Sequence, residues 1–324
     1  MSAELVVGAG PVGTRLARRL ADLGHRVQIV SRSGSGPEDD RVERIACDAA
    51  DADGLVAAVA PPDVIYNCAA PAYQHWPRDF PPIADALADL AERHGAGLVT
   101  LSNLYAYGPP SGPLTEASPL RATGPKGTTR KRMWEDALAR HRSGRLRVTE
   151  ARASDFYGPG VGVSSPLGRI ASRLLAGKSA RVAGRLDAPH SWTYVDDVAG
   201  ALCVLGHDGR SWGRAWHVPT DSPLTQRQLA ERFCSLAGAP PARLAVYHPM
   251  ALEVVGVFSP VVRELKETTY QFAAPFVVDS SVFTATFGST PTPVDTGLEA
   301  TIRFERAGPS AGAPSAAAPR RSKN

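Results

Sequence analysis

The segment Val6-Val7-Gly8-Ala9-Gly10-Pro11-Val12-Gly13 constrains this chain more than any other stretch. A short β-branched run feeds a G-x-G-x-x-G turn, and a helical spacing of Val12, Leu16 and Leu20 follows at once. Three glycines have a mechanical reason to stand in that strand–turn–helix setting. Gly8 permits the tight turn, Gly10 lets a pyrophosphate approach the backbone, and Gly13 lets helix and strand pack closely. The helix start adds unpaired N–H groups and the positive end of a dipole. Gly8, Gly10, Pro11, Val12 and Gly13 therefore form the expected anion cradle. The helix stops at Gly24, and a second strand over 27–30 completes a βαβ opening. The pattern predicts dinucleotide binding.

Strands continue to alternate with helices through residues 4–152. Apolar runs place strands at 5–7, 27–30, 44–47, 64–68, 98–102 and 146–150, and Ile83, Leu87 and Leu90 share one face of a helix over 80–93. Such alternation predicts an α/β fold: a doubly wound parallel sheet of the Rossmann type with helices on both faces. Right-handed crossovers gather the C-terminal strand ends, and hence any ligand, on one edge. After Phe156 the pattern turns irregular, with Gly and Pro clustered over 157–166. The expected division is a cofactor domain over 1–155, a smaller substrate lobe over 156–306 interleaved with late sheet elements, and a disordered tail over 307–324. The Gly/Pro-rich loop 109–126 would hang over the ligand edge as a flap.

Composition excludes several classes. The 324 residues include no apolar run approaching a membrane span of ~20 residues, and the first residues enter a strand with no basic-then-apolar leader. Cys47, Cys68, Cys203 and Cys234 lie far apart without metal-ligand spacing, which fits reduced thiols in a cytoplasmic protein and no metal site. The net charge of +4 comes partly from Arg320, Arg321 and Lys323 in the tail, and no aromatic-interleaved basic stripe suggests nucleic acid. An anionic cofactor or small-molecule substrate is the better match for that charge.

Cofactor choice rests on the end of the second strand. An acidic residue there would bind the ribose 2′-hydroxyl of NAD, but the chain reads Val30-Ser31-Arg32-Ser33. Ser31 and Arg32 suit a 2′-phosphate, so NADP is expected ahead of NAD. The plain alternative leaves Arg32 as the start of a solvated loop. Asp48 either accepts from the adenine amino group or caps the next helix.

At this point the chain resembles the extended short-chain dehydrogenase/reductase family, specifically its NAD-dependent epimerase/dehydratase group. The glycine turn, Asn67-Cys68-Ala69-Ala70, the block 101–108 ending in Tyr107-Gly108, Thr115-Glu116, Lys131 with Glu135, Phe156-Tyr157-Gly158-Pro159-Gly160 and Trp192-Thr193-Tyr194-Val195-Asp196-Asp197-Val198-Ala199 carry the resemblance. It implies that Ala69 and Ala70 lie beside the cofactor, that Lys131 contacts its ribose, with an exposed i,i+4 pair with Glu135 as the plain alternative, and that two copies pair through a four-helix interface involving the helix around Lys131.

The departures bear on chemistry. The resemblance implies a Tyr-x-x-x-Lys pair on one helix face, yet Gly127 stands four before Lys131, and none of the eight tyrosines has a lysine four residues later. The helper Ser/Thr position falls on Asn103, and an expected asparagine falls on Asp155. A positioned acid/base is worth ~10²–10⁴ in rate, so another group must act or the ordinary reaction is lost. Tyr105 can hydrogen-bond a substrate carbonyl, with Asn103 as an added donor, or simply pack. Asp155 can exchange a proton or serve a loop. Tyr107 is expected beneath the site, and His75, Trp76, His190, Trp192, His217 and His248 are candidates for lining it. Neither G-x-S-x-G nor H-E-x-x-H occurs. The leading expectation is an atypical NAD(P)-dependent oxidoreductase or epimerase/dehydratase acting on a small carbonyl or alcohol. Its rivals are a redox-inert NAD(P)-binding sensor or partner protein and a non-redox lyase or isomerase.

Overall fold

The computed structural model describes residues 1–247 and 267–308. Strands β1 (Ala3–Val7), β2 (Arg26–Ser31), β3 (Val42–Ala46), β4 (Val64–Asn67), β5 (Gly97–Asn103) and β6 (Arg147–Ala153) alternate with helices α1 (Pro11–Asp22), α2 (Ala52–Ala58), α3 (Trp76–His94) and α4 (Pro125–Arg142). After β7 (Asp155–Tyr157), α5 (Pro166–Leu175), β8 (Ala180–Val182), β9 (Trp192–Tyr194) and α6 (Val195–His207), the strand β10 (Ala215–His217) returns to the main sheet. Its order is β10-β6-β5-β4-β1-β2-β3, and every pairing is parallel. The doubly wound α/β fold is as expected.

Both faces are covered, and β1 shows why its residues read as one apolar run. Val6 packs with Leu16 and Leu20 of α1 and Leu202 of α6, whereas Leu5 and Val7 pack with Leu55, Leu87 and Leu90 on the other side. Alternate side chains feed opposite cores, so neither face can be polar. The strand order turns back at β1, with β2 and β3 on one side and β4, β5 and β6 on the other, and this switch between the parallel strands β1 and β4 opens a crevice beyond Val7 and Asn67.

Two local expectations shift. Helix α3 starts at Trp76 and runs through Pro81 and Pro82. Their missing N–H groups cost intrahelical bonds, but the extension buries Trp76 and Phe80. The 109–126 loop is not a free flap. Leu114 exchanges backbone hydrogen bonds with Val277 and Asp279 at 2.8 Å each, Glu116 Oε1 accepts from His217 N–H at 3.0 Å, and its last two residues already belong to α4. Within the later residues β7 pairs with β9, and β8 with β11 (Leu244–Val246). A final helix, Val294–Ala307, packs on α7 (Gln226–Leu236). Among the described residues no helix is long and apolar enough to cross a membrane. His248 and the tail after Gly308 lie outside the described residues.

Candidate active site

The glycine turn has the form its sequence requires. Gly8 sits at φ +108°, where a Cβ would also meet the Cys68 carbonyl oxygen at 2.6 Å. A Cβ on Gly13 would lie 1.9 Å from the Gly8 oxygen, so α1 can approach β1 only with glycine there. Gly10 differs: a Cβ would meet nothing within 4 Å. It is the N-cap of α1 with no side-chain cap, followed by Pro11, so the first-turn N–H groups open onto free space. That cradle fits a pyrophosphate.

Neighbouring cofactor candidates line the same edge. Ser31 ends β2 with Oγ donating to the Ser35 carbonyl at 2.9 Å, and Arg32 follows, exposed. Asp48 is exposed and its Oδ1 accepts from Ala50 N–H at 3.1 Å, holding a local turn, whereas the cap of α2 expected of it is Asp51, whose side chain accepts from Gly54 N–H. Asn67 Oδ1 accepts from Ala69 N–H at 3.2 Å, and Ala70 is exposed beyond it.

A second group of side chains gathers beyond β5 and β6. Tyr105 directly follows β5, where Asn103 Oδ1 accepts its backbone N–H at 3.0 Å. Tyr73, from the turn after β4, donates its hydroxyl to Tyr105 Oη at 2.9 Å. Tyr105 also stacks on Trp76 with centroids 5.7 Å apart. Burial first, then the neighbouring Tyr73 and Asp155, push the Tyr105 phenol well above its ordinary range. With Tyr73 as donor to its oxygen, Tyr105 keeps its own proton to give elsewhere.

Asp155 opens β7, and its Oδ2 lies 2.9 Å from His190 Nε2. The other ring nitrogen, Nδ1, is 3.2 Å from the Gln271 carbonyl. A carbonyl only accepts, so Nδ1 carries a hydrogen, and one more proton must lie between Nε2 and the carboxylate. His190 is buried and stacked on Phe272. The pair therefore shares one hydrogen bond, and Asp155 stands close enough for its charge to act on Tyr73 and Tyr105.

Lys131 does not join this group. It is a third exposed, and Nζ lies 3.9 Å from Glu135 Oε1 on the outer face of α4. Its expected ribose contact is corrected by helix geometry: one residue past Arg130 is a turn of about 100° around the axis. The side chains that α4 buries are Lys126 and Arg130, four residues apart. Lys126 Nζ bonds Glu267 Oε2 at 3.1 Å and lies 4.7 Å from the centre of the Tyr73 ring. Arg130 lies 4.0 Å over the Phe80 ring and donates to the Leu101 carbonyl at 3.3 Å, and burial lowers it to about 10. A lysine and an arginine thus hold the spacing that the resemblance assigns to tyrosine and lysine, while Tyr73 arrives from another loop. Pro125 at the helix start was the available signal, since it puts Lys126 in the first turn. The Tyr73 and His190 partnerships had none, because loops far apart in sequence create them.

The remaining candidates are structural. Tyr107 Oη accepts from Arg152 Nη1 at 2.8 Å and donates to His217 Nε2 at 2.8 Å, while His217 Nδ1 donates to the Asp279 carbonyl at 2.9 Å. The Trp76 indole donates to Pro71 and the Trp192 indole to Leu224, which ties both rings into the walls. His75 stands at the N-cap position of α3 and makes no side-chain capping bond there.

Comparison with known proteins bears on family and fold. A model of the NAD dependent epimerase/dehydratase family matches residues 5–215. A dTDP-glucose 4,6-dehydratase of Streptomyces griseus is 30% identical over 155 residues, 47% of each chain. A 2'-dehydrokanamycin reductase of Streptomyces kanamyceticus is 27% identical over 241 residues, 72% of this chain and 66% of the relative. The match thus spans about half the length of the first of these relatives. Among solved structures, an epimerase of Methanothermobacter thermautotrophicus superposes with TM-score 0.80 at 18% identity, covering 94% of this chain and 92% of that one. A dTDP-glucose 4,6-dehydratase of Streptomyces venezuelae with NAD bound gives 0.77 at 22%, covering 94% and 97%. At these identities the structures speak for the fold.

Proposed function

This chain belongs to the NAD dependent epimerase/dehydratase family, and on that premise we propose that it is an NAD(P)-dependent enzyme acting on a small carbonyl or alcohol, with Tyr105 as its proton donor. The observation that carries the reading is the Tyr73–Tyr105 hydrogen bond, set beside Asp155 at the mouth of the crevice. A nicotinamide bound along the glycine turn supplies hydride chemistry. Gly8, Gly10, Pro11, Val12 and Gly13 hold its pyrophosphate, Ala69 and Ala70 border it, and Arg130 takes over the buried cationic position expected of Lys131. Tyr105 presents a neutral phenol to the substrate oxygen. Asp155 and His190 store a proton next to it, and Asn103 fixes the Tyr105 backbone, leaving only its amide nitrogen to donate to substrate. Relatives named as dehydratases and a reductase support an enzyme over a redox-inert sensor. Purified protein with NADPH and a panel of ketones, aldehydes, sugar nucleotides and aminoglycoside ketones tests this at 340 nm. Absorbance unchanged across the panel overturns it.

The cofactor preference follows from Ser31 and Arg32. Arg32 grips a 2′-phosphate in two places, and a charged hydrogen bond of that kind is worth about 1.5–3 kcal/mol. Arg32→Ala is therefore expected to weaken NADPH binding by about 10–100-fold and to leave NADH unchanged. Equal losses for both cofactors in calorimetry would refute the preference.

Assembly belongs to the same reading. Helices α3 and α4 lie side by side around a hollow of about 470 Å³, lined by Pro81, Ala84, Ala88, Met133 and Ala137 among others. Two copies pairing there form a four-helix interface. Light scattering should then give twice the 34.2 kDa chain mass, and Ala84→Arg should halve it.

A further inference from the structure

Two phenols and an ammonium meet beyond β5, each brought by a different element. Tyr73 stands in the turn after β4, Tyr105 directly follows β5, and Lys126 lies in the first turn of α4. Tyr73 Oη donates to Tyr105 Oη at 2.9 Å, and Lys126 Nζ lies 4.7 Å from the centre of the Tyr73 ring. Trp76 braces both phenols: it stacks on Tyr105 and meets the Tyr73 ring edge-on, with centroids 4.9 Å apart. Glu267 braces the ammonium. Its Oε2 accepts from Lys126 Nζ at 3.1 Å, and its Oε1 accepts from the Lys126 backbone N–H at 2.8 Å. An opposite charge so close keeps a buried lysine protonated.

A donor that has given its proton away must be reloaded, and its phenolate must be stabilised meanwhile. Burial raises both phenols, and Asp155 acts against a negative charge on either. The two differ in what opposes that rise. On Tyr73 the hydrogen bonds with Thr268 and Tyr105, and then the charge of Lys126, work the other way. Tyr105 is pushed up further, and its bond with Tyr73 adds to the rise. A negative charge shared by the pair therefore settles on Tyr73, the phenol whose ring faces the ammonium.

We propose that Tyr73, backed by Lys126, is the positioning residue that reloads Tyr105 with a proton, an inference that rests on the reading of Tyr105 as proton donor. When Tyr105 gives its O–H proton to the substrate oxygen, its own oxygen keeps the electron pair. The Tyr73 proton then crosses the 2.9 Å hydrogen bond to that oxygen. The electron pair it leaves behind stays on Tyr73 Oη, and the Lys126 ammonium balances the charge. Solvent returns a proton to Tyr73, which is partly exposed. Nothing is oxidised or reduced in these transfers. Two separate elements thus divide the work that the resemblance expects of one helix face.

Full-length protein grown on fluorotyrosine tests the order of ionisation without a substrate, since fluorine makes phenols more acidic and brings them into a titratable range. Fluorine NMR follows each ring, and Tyr73→Phe and Tyr105→Phe identify the two signals. The charged and titratable groups around the pair are Lys126 and Arg130 of α4, Asp155 with its partner His190, and Glu267 and Tyr270. Tyr73 should ionise before Tyr105. Lys126→Met should raise the Tyr73 midpoint by about one pH unit or more, and Lys126→Arg should restore it. Lys126→Met combined with Glu267→Gln removes both charges of the bridge, should raise the midpoint likewise, and serves where the single variant does not fold. Tyr105 ionising first, or a Tyr73 midpoint unmoved by loss of the ammonium, overturns the inference. With NADPH and a panel ketone that the parent chain reduces, Tyr73→Phe should lower kcat by about 10–100-fold at unchanged KM, and an undiminished kcat also overturns it. Failure of the functional reading shows separately: the parent chain itself then leaves NADPH unconsumed, and the reloading role falls with it, whereas failure of the inference alone leaves the parent active.

Discussion

Tyr105→Phe should lower kcat by ~10²–10⁴-fold while cofactor affinity stays within about twofold, because the lost hydroxyl serves the substrate oxygen and not the pyrophosphate cradle. The phenylalanine still stacks on Trp76, so the fold survives and thermal melting should confirm it. The pH profile adds an independent check. Burial raises the Tyr105 phenol well above the ordinary value, and an acid must be protonated to work. The alkaline loss of activity assigned to this residue should therefore begin above pH ~10. Lys131→Ala provides the contrast: removing an exposed i,i+4 pair costs only tenths of a kcal/mol and should leave kcat unchanged. Full activity in Tyr105→Phe would move the proton donor to the Asp155–His190 pair.

The second large effect concerns two glycines three residues apart with opposite constraints. At Gly13 any Cβ collides with the Gly8 carbonyl oxygen. Gly13→Ala must push α1 off β1, which costs about 1–3 kcal/mol or more of stability and ruins the cradle. At Gly10 the protein itself offers no obstacle. Gly10→Ala should cost about 1 kcal/mol at most, as a poorer helix cap. Its methyl group nevertheless occupies the space meant for the pyrophosphate. Losing two charge-assisted N–H bonds at about 1.5–3 kcal/mol each predicts a rise of more than 100-fold in cofactor dissociation constant. A Gly10→Ala protein that melts normally and still binds NADPH tightly would show that the nucleotide does not use this turn.

Much of the fold was legible because its strands are buried on both sides. Leu5, Val6 and Val7 serve two cores at once, so the strand stands out as an unbroken apolar run. The glycine turn was equally readable, since each glycine answers a separate steric demand. Helix α3 was harder to delimit, because Pro81 and Pro82 ordinarily mark a helix start and here lie inside one. Within the site, Tyr105, Asn103 and Asp155 could be placed by counting from strand ends. Lys131 was misplaced by a single helical step in direction, since the chain offers basic residues at 126, 130, 131 and 132 and only packing decides which turn inward. Tyr73 with Lys126 and Asp155 with His190 are joined across 53 and 35 residues, distances at which spacing carries no signal.

The crevice takes its walls from the ends of β1, β4, β5 and β6, the first turn of α4 and the stretch after Thr268. Separate elements therefore build separate walls, so one wall can differ in its side chains while the others keep their backbone form. A phenol brought by the turn after β4 or the end of β5, where the resemblance expects one on a helix, leaves the backbone trace of the fold untouched.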